Sequence, residues 1–252
     1  ATAQREALTD VQAAEKAGQA PPEDRLQLLA NLASKGTDKQ AYISSLERLV
    51  AYYPKKEYWI DLLRRIESKP GFNNRLALDM YRLRRATKTL ESGNDVFEMA
   101  QLALQERQAA EAKKILEEGF ASGLLGKGND AERQKRLLTL ATQRAEEAPK
   151  QLVAAEAEAR EQKDGDALVR IGMAYSGMGQ HDKGIQLIQQ GIALLQADKA
   201  VKGRAGRVDE ANLHLGLAYL RAGQKPKAVQ AFKSVQGTDG SADLARLWTR
   251  VG

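Results

Sequence analysis

Six small residues recur along the chain at a nearly fixed step. They are Ala41, Ala77, Ala112, Ala148, Gly184 and Ala228, separated by 36, 35, 36, 36 and 44 residues. A period in the mid-thirties is that of a helix pair too small to bury its own apolar face, which gains a core only by stacking on its neighbours. The period therefore predicts an extended stack of helix pairs. Such a stack offers a surface for holding a partner and rarely a place for chemistry.

Composition agrees with an all-α chain. Ala, Leu, Gln, Glu, Arg and Lys dominate, all strong helix formers, and runs of β-branched residues are absent. Hydrophobic residues make up 42% and charged residues 29%, the balance of a soluble globular protein. No apolar run approaches the roughly 18 residues of a membrane span. The net charge of +6 comes from 39 basic and 33 acidic residues with signs interspersed, which favours a solvated surface over a basic stripe. Cysteine is absent, which excludes disulfides, thiolate metal sites and a cysteine nucleophile. The chain begins at Ala1 without a hydrophobic signal core, so either a leader is removed or the sequence starts inside the gene. The expectation is a bacterial, periplasmic protein, with the cytoplasm left open.

Breakers and caps divide the chain into four stretches. Residues 1–20 read as a polar arm, with Leu8 and Val11 its only large apolar side chains, docked loosely if helical. Residues 21–123 read as degenerate helical repeats. Within them Pro22 starts a helix, Thr37 or Asp38 caps a second, Asn73 or Asn74 caps another, and Ser92-Gly93-Asn94 opens the next. Residues 124–164 read as an irregular pair of charge-rich helices meeting near Pro149. Residues 165–252 read as two regular pairs and a final capping helix bearing Leu244, Leu247 and Trp248, with 198–207 the clearest loop.

The last two pairs carry a recognisable signature. Leu215-Gly216-x2-Tyr219 is followed by Ala228-x3-Phe232, and the preceding pair repeats it as Ile171-Gly172-x2-Tyr175 followed by Gly184-x3-Ile188. On these residues the chain resembles tetratricopeptide repeat proteins, clearly over 165–235 and more faintly before that. Overall it is similar to exported proteobacterial proteins of this family. The resemblance implies a right-handed α-α superhelix of about six helix pairs plus a C-terminal cap. It also implies that the first helix of each pair lines a concave groove. Carried onto this sequence, the groove positions are Arg64, Asn94, Phe97, Gln101, Gln105, Asp166, Val169, Met173, Glu210, Leu213, Leu217 and Arg221. Amides, an Arg near each end and an apolar middle suit an extended peptide or a partner helix.

Nothing in the sequence assembles a catalytic or metal centre. The two histidines, His181 in a turn and His214 beside Leu215-Gly216, lie 33 residues apart on consecutive repeats without cysteine or a tight carboxylate cluster. Gly123-x2-Gly126-Lys127-Gly128 has the wrong spacing for a phosphate loop and no preceding strand. Gly203-x2-Gly206 with Lys202, Arg204 and Arg207 reads as a basic connector. Arg75, Arg82, Arg84, Arg85 and Lys88 form the most basic helix, but rings for base stacking are sparse and nucleic-acid binding is disfavoured. The sequence thus predicts a non-catalytic protein-interaction scaffold without cofactors. The alternatives are a self-assembling repeat protein or an accessory subunit of a cell-envelope enzyme complex.

Overall fold

The computed structural model describes residues 2–36, 38–198 and 203–251. The alternative cap Thr37 and residues 199–202 of the basic connector lie outside the described residues. The architecture is all-α, with no strand among the described residues. In chain order the helices are α1 (Thr2–Lys16), α2 (Glu23–Ser34), α3 (Lys39–Tyr52), α4 (Lys56–Glu67), α5 (Ala77–Ala86), α6 (Gly93–Gln105) and α7 (Ala109–Ala121). They continue as α8 (Ala131–Glu161), α9 (Gly165–Gly177), α10 (His181–Ala197), α11 (Arg204–Arg221), α12 (Lys225–Lys233) and α13 (Ser241–Trp248).

Local chemistry sets the helix starts. Asp38 accepts from the backbone N–H groups of Gln40 and Ala41, and Asp164 from that of Ala167. Ser92 and Asp95 form a reciprocal capping box at the start of α6. Asn73 accepts from the N–H of Arg75 ahead of a short 3-10 turn that leads into α5.

The chain divides into two compact units. The first comprises Ala1–Phe72, Arg84–Thr89 and Arg250–Gly252. Its core is built by Leu26, Leu29, Ile43, Leu46, Leu49, Trp59, Leu62 and Ile66. The N-terminal arm is a helix packed on α2, with Ala7 and Val11 buried and Glu15 paired to Arg48 of α3 at 3.1 Å.

The second unit comprises Asn73–Leu83 and Leu90–Thr249. In it α6 pairs with α7, α9 with α10 and α11 with α12, while α13 packs over α11 and α12. The α9/α10 crossing is tight because glycines face glycines: a Cβ on Gly165 would lie 2.7 Å from the carbonyl oxygen of Gly191. In the next pair Gly216 lies under the Phe232 ring, where a Cβ would come within 2.2 Å of a ring carbon.

Two expectations are corrected. The pair expected to meet near Pro149 is a single 31-residue helix, α8, with Pro149 inside it. An interior proline costs about 3 kcal/mol, and here packing on both sides outweighs that cost. Before Pro149, Ala141 belongs to the apolar cluster of α6 and α7, while after it Leu152 and Ala159 belong to a second cluster with α9. Pro149 itself is exposed, which leaves solvent to satisfy the carbonyl it frees. Ala148 therefore sits in mid-helix, whereas the other repeat positions lie in the first turn of a helix. The connector expected over 198–207 is also shorter, since α11 begins at Arg204 and takes up Gly206 and Arg207.

Candidate functional site

Between the two apolar clusters of the second unit lies a cleft of about 700 Å³, walled by the end of α6, the start of α7, the C-terminal half of α8 and α9 as far as Ala174. It stays open because small side chains face it. Ala148, Ala155 and Ala159 on α8 oppose Ala167 and Ala174 on α9, and a methyl group cannot reach across the gap that a leucine would close. Leu104, Leu152 and Ile171 complete the apolar floor.

The rim is polar and of mixed charge. Glu147 accepts from the Gln151 amide at 3.1 Å and Glu158 from the Gln162 amide at 3.0 Å, while Asp164 is engaged as the cap of α9. Arg107, Arg144 and Arg170 stand on the same rim. Amides and guanidinium groups above an apolar floor can hydrogen-bond a peptide backbone while apolar side chains descend into the gap.

The structure distributes the expected groove residues unevenly. Gln105 lines the cleft. Asn94 is exposed in the first turn of α6, and Gln101 is half-buried on the same helix. Arg64 is exposed on α4, in the first unit. Met173 and Leu217 are core residues, 1% and 4% exposed, on α9 and α11, which pack against each other. Val169, Leu213 and Phe97 are also buried, the last beneath the Arg133 guanidinium. Arg221 is committed internally, 3.1 Å from Glu111 and 3.5 Å from the carbonyl oxygen of Met173.

The packing signature lies where its residue types require. Ile171, Gly172, Tyr175, Gly184, Leu215, Gly216, Tyr219, Ala228 and Phe232 are all buried, Ala228 completely. Phe232 stacks near Trp248 of α13 with ring centroids 6.5 Å apart. Lys183 and Lys227, at equivalent places in the two pairs, sit over the Tyr175 and Tyr219 rings at 3.9 and 5.7 Å.

The basic helix is not a basic surface. Arg82 is 7% exposed and is held by Asp79 at 2.7 Å and by two bonds to Glu111, at 2.9 and 2.7 Å. Arg75 pairs with Glu210 at 2.7 Å and Asp239 at 2.6 Å, and Arg84 with Glu67 at 2.5 Å. The glycine-rich turn after α7 is a helix connector, with the Gly126 N–H donating to Gln134 Oε1 at 2.7 Å.

Sequence reasoning missed the charged cluster at the heart of this unit. Burial raises the Asp79 carboxyl, but His214 and Arg82 together outweigh it and hold it at about 2. Burial likewise opposes the ionised Glu111, and Arg82 with Arg221 holds it well below the usual carboxylate range. Burial lowers the His214 imidazole, Asp79 more than compensates, and the net direction is up. The readable signal was Glu111, a charged residue one position before the repeat alanine Ala112 and on the buried face shared with Ile115.

Two stretches match the family described as Tetratricopeptide repeat, residues 165–194 and 210–238. These are α9 with most of α10, and most of α11 with α12. No curated protein matches the chain. Among solved structures, the crystal structure of BtubC (BKLC) from P. vanneervenii is 15% identical, with 98% of this chain and 91% of that chain covered at a TM-score of 0.33. The crystal structure of MamA protein is 17% identical, with 89% and 92% covered at a TM-score of 0.25. Similarities at these scores carry no argument, and the repeat matches stand on their own. Tetratricopeptide repeats as a class serve as protein–protein interaction scaffolds and are generally non-catalytic. Both matched stretches are helix pairs whose Gly–Tyr and small-residue positions pack as that repeat demands, and the chain carries two tetratricopeptide repeats, at 165–194 and 210–238.

Proposed function

We propose that this chain is a non-catalytic scaffold that seats a peptide or a partner helix in the cleft between α8 and α9. The observation that supports the reading is the unfilled gap itself, about 700 Å³ with an alanine-lined floor and an amide-bearing rim. Apolar surface left facing water in an open cleft is unfavourable, and an apolar side chain from a partner covers it. Gln105, expected at the groove from the family pattern, stands on its wall.

A bulky residue at Ala155, which is half-buried on the cleft wall, tests the reading. A displayed random-peptide library is selected against the wild-type chain and against Ala155→Trp, with helicity and melting measured for both. Enrichment of peptides by the wild type and its loss in the folded variant support the cleft. Equal enrichment by both proteins places binding elsewhere.

A second reading, self-association, is favoured by exposed apolar side chains on α8, Val153 at 63% and Leu140 at 37%. Sedimentation velocity across a hundredfold concentration range separates the two: Val153→Lys reduces a concentration-dependent mass and leaves peptide selection unchanged.

A further inference from the structure

His214 joins two helices far apart in sequence through a single partner. Its Nε2 lies 3.1 and 3.2 Å from the two carboxylate oxygens of Asp79, which is 2% exposed on α5. Its Nδ1 is buried without a partner among the described residues, so the ring's polar attachment runs through Asp79 alone. Asp79 also binds Arg82, Arg82 binds Glu111 on α7, and Glu111 binds Arg221 at the far end of α11. Glu210, one turn before His214, is tied to Arg75, which holds Asp239. Glu106 at the end of α6 and Arg170 on α9 line the same small polar cleft as the imidazole.

The charges around the ring do not cancel without it. The cations are Arg75, Arg82, Arg170 and Arg221, and the anions are Asp79, Glu106, Glu111, Glu210 and Asp239. Counted as ionised beside a neutral imidazole, the group carries one surplus negative charge, and two of its carboxylates, Asp79 and Glu111, are buried at 2% and 6% exposure. Uncompensated charge in such surroundings is strongly destabilising, and an imidazolium removes it. We propose that His214 is a proton-operated latch whose imidazolium fastens the 73–83 segment, through Asp79, to α11, and whose deprotonation releases that fastening.

The direction follows from linkage. A histidine raised in the folded state contributes its full stability below its unfolded value of about 6.5 and loses it as pH rises through the folded value. The His214 ring is raised, with the Asp79 carboxylate outweighing burial. Glu210 is raised by burial and works in the same direction, because its ionised form is the disfavoured one. Fastening is therefore firm in mild acid and weakens on the alkaline side.

The chain has two histidines, so the imidazole Cε1 protons give two resonances, and His181→Asn identifies them. We expect His214 to titrate above the ordinary histidine value, and the wild-type melting temperature to fall across that titration. In His214→Gln, whose amide still reaches Asp79 but does not titrate, that fall disappears. A His214 midpoint at or below the ordinary value, or an unchanged fall in the glutamine variant, overturns the proposal. If the variant does not fold, hydrogen exchange on the wild type decides. Corrected for intrinsic rates, amides of 79–83 lose protection relative to α10 as pH passes the His214 midpoint; constant relative protection overturns the latch.

Discussion

Gly172 and Gly184 meet at a helix crossing that leaves no room for a methyl group on either side. A Cβ on Gly172 would lie 2.6 Å from the carbonyl oxygen of Gly184, and one on Gly184 would lie 2.5 Å from the carbonyl oxygen of Gly172. Gly165 and Gly191 repeat the arrangement two turns along each helix, so α9 and α10 run in backbone contact. Gly172→Ala gains helix propensity of about 1 kcal/mol but forces the crossing apart. The expected net effect is a loss of about 1–3 kcal/mol, read from the urea midpoint. Ala228→Leu, at a position with no exposure, is expected to lose a similar amount. Neutral outcomes at both sites would refute the repeat register.

Arg82 is the shared partner of two buried carboxylates. Arg82→Met leaves Asp79 with His214 and Glu111 with Arg221, each short of its guanidinium. Breaking a buried pair from one side costs about 3–5 kcal/mol. Chemical denaturation is expected to show that loss, and combining Arg82→Met with Glu111→Gln is expected to recover part of it. A strictly additive double variant would mean that the two side chains are not coupled.

Acid attacks the same cluster from the other end. Asp79 is held at about 2 and Glu111 well below the usual carboxylate range, so each contributes stability above its unfolded value of about 4 and loses it as pH falls toward the folded value. The urea midpoint is expected to decline steadily below about pH 4. Glu111→Gln starts from a lower midpoint and shows a shallower decline. An equal slope in the two proteins would locate acid sensitivity outside the cluster.

Pro149→Ala distinguishes one helix from two. Pro149 is exposed inside α8, so alanine restores a backbone hydrogen bond without disturbing any buried contact. The expected gain is about 1–3 kcal/mol, with increased helicity. A turn between two helices at this position would give no gain.

The repeats at 165–235 were legible because their constraints act within a pair: Gly172 touches Gly184, and Gly216 lies under Phe232. The same phase misled at Ala148, where a small residue at the right interval belongs to a continuous helix. What keeps α8 continuous is packing against α6, α7 and α9, remote from Pro149 in sequence. Met173 and Leu217 satisfied the groove pattern but are buried, on two helices that pack against each other. The charged cluster joins α5, α7 and α11 across 135 residues, from Asp79 to His214, and no local pattern announces such a pairing. The cleft arises from side chains that are too small, which a search for reactive groups passes over.

The length of α8 bears on how the second unit comes apart. Its 31 residues reach about 46 Å, with one end embedded in the α6/α7 cluster and the other in the α9 cluster. An ordinary stack of pairs frays from its ends, each pair yielding in turn as its neighbour leaves. A rod anchored in two cores works as a splint. Neither core can melt without pulling on the other, so the middle of this unit resists unzipping and gives way in one event.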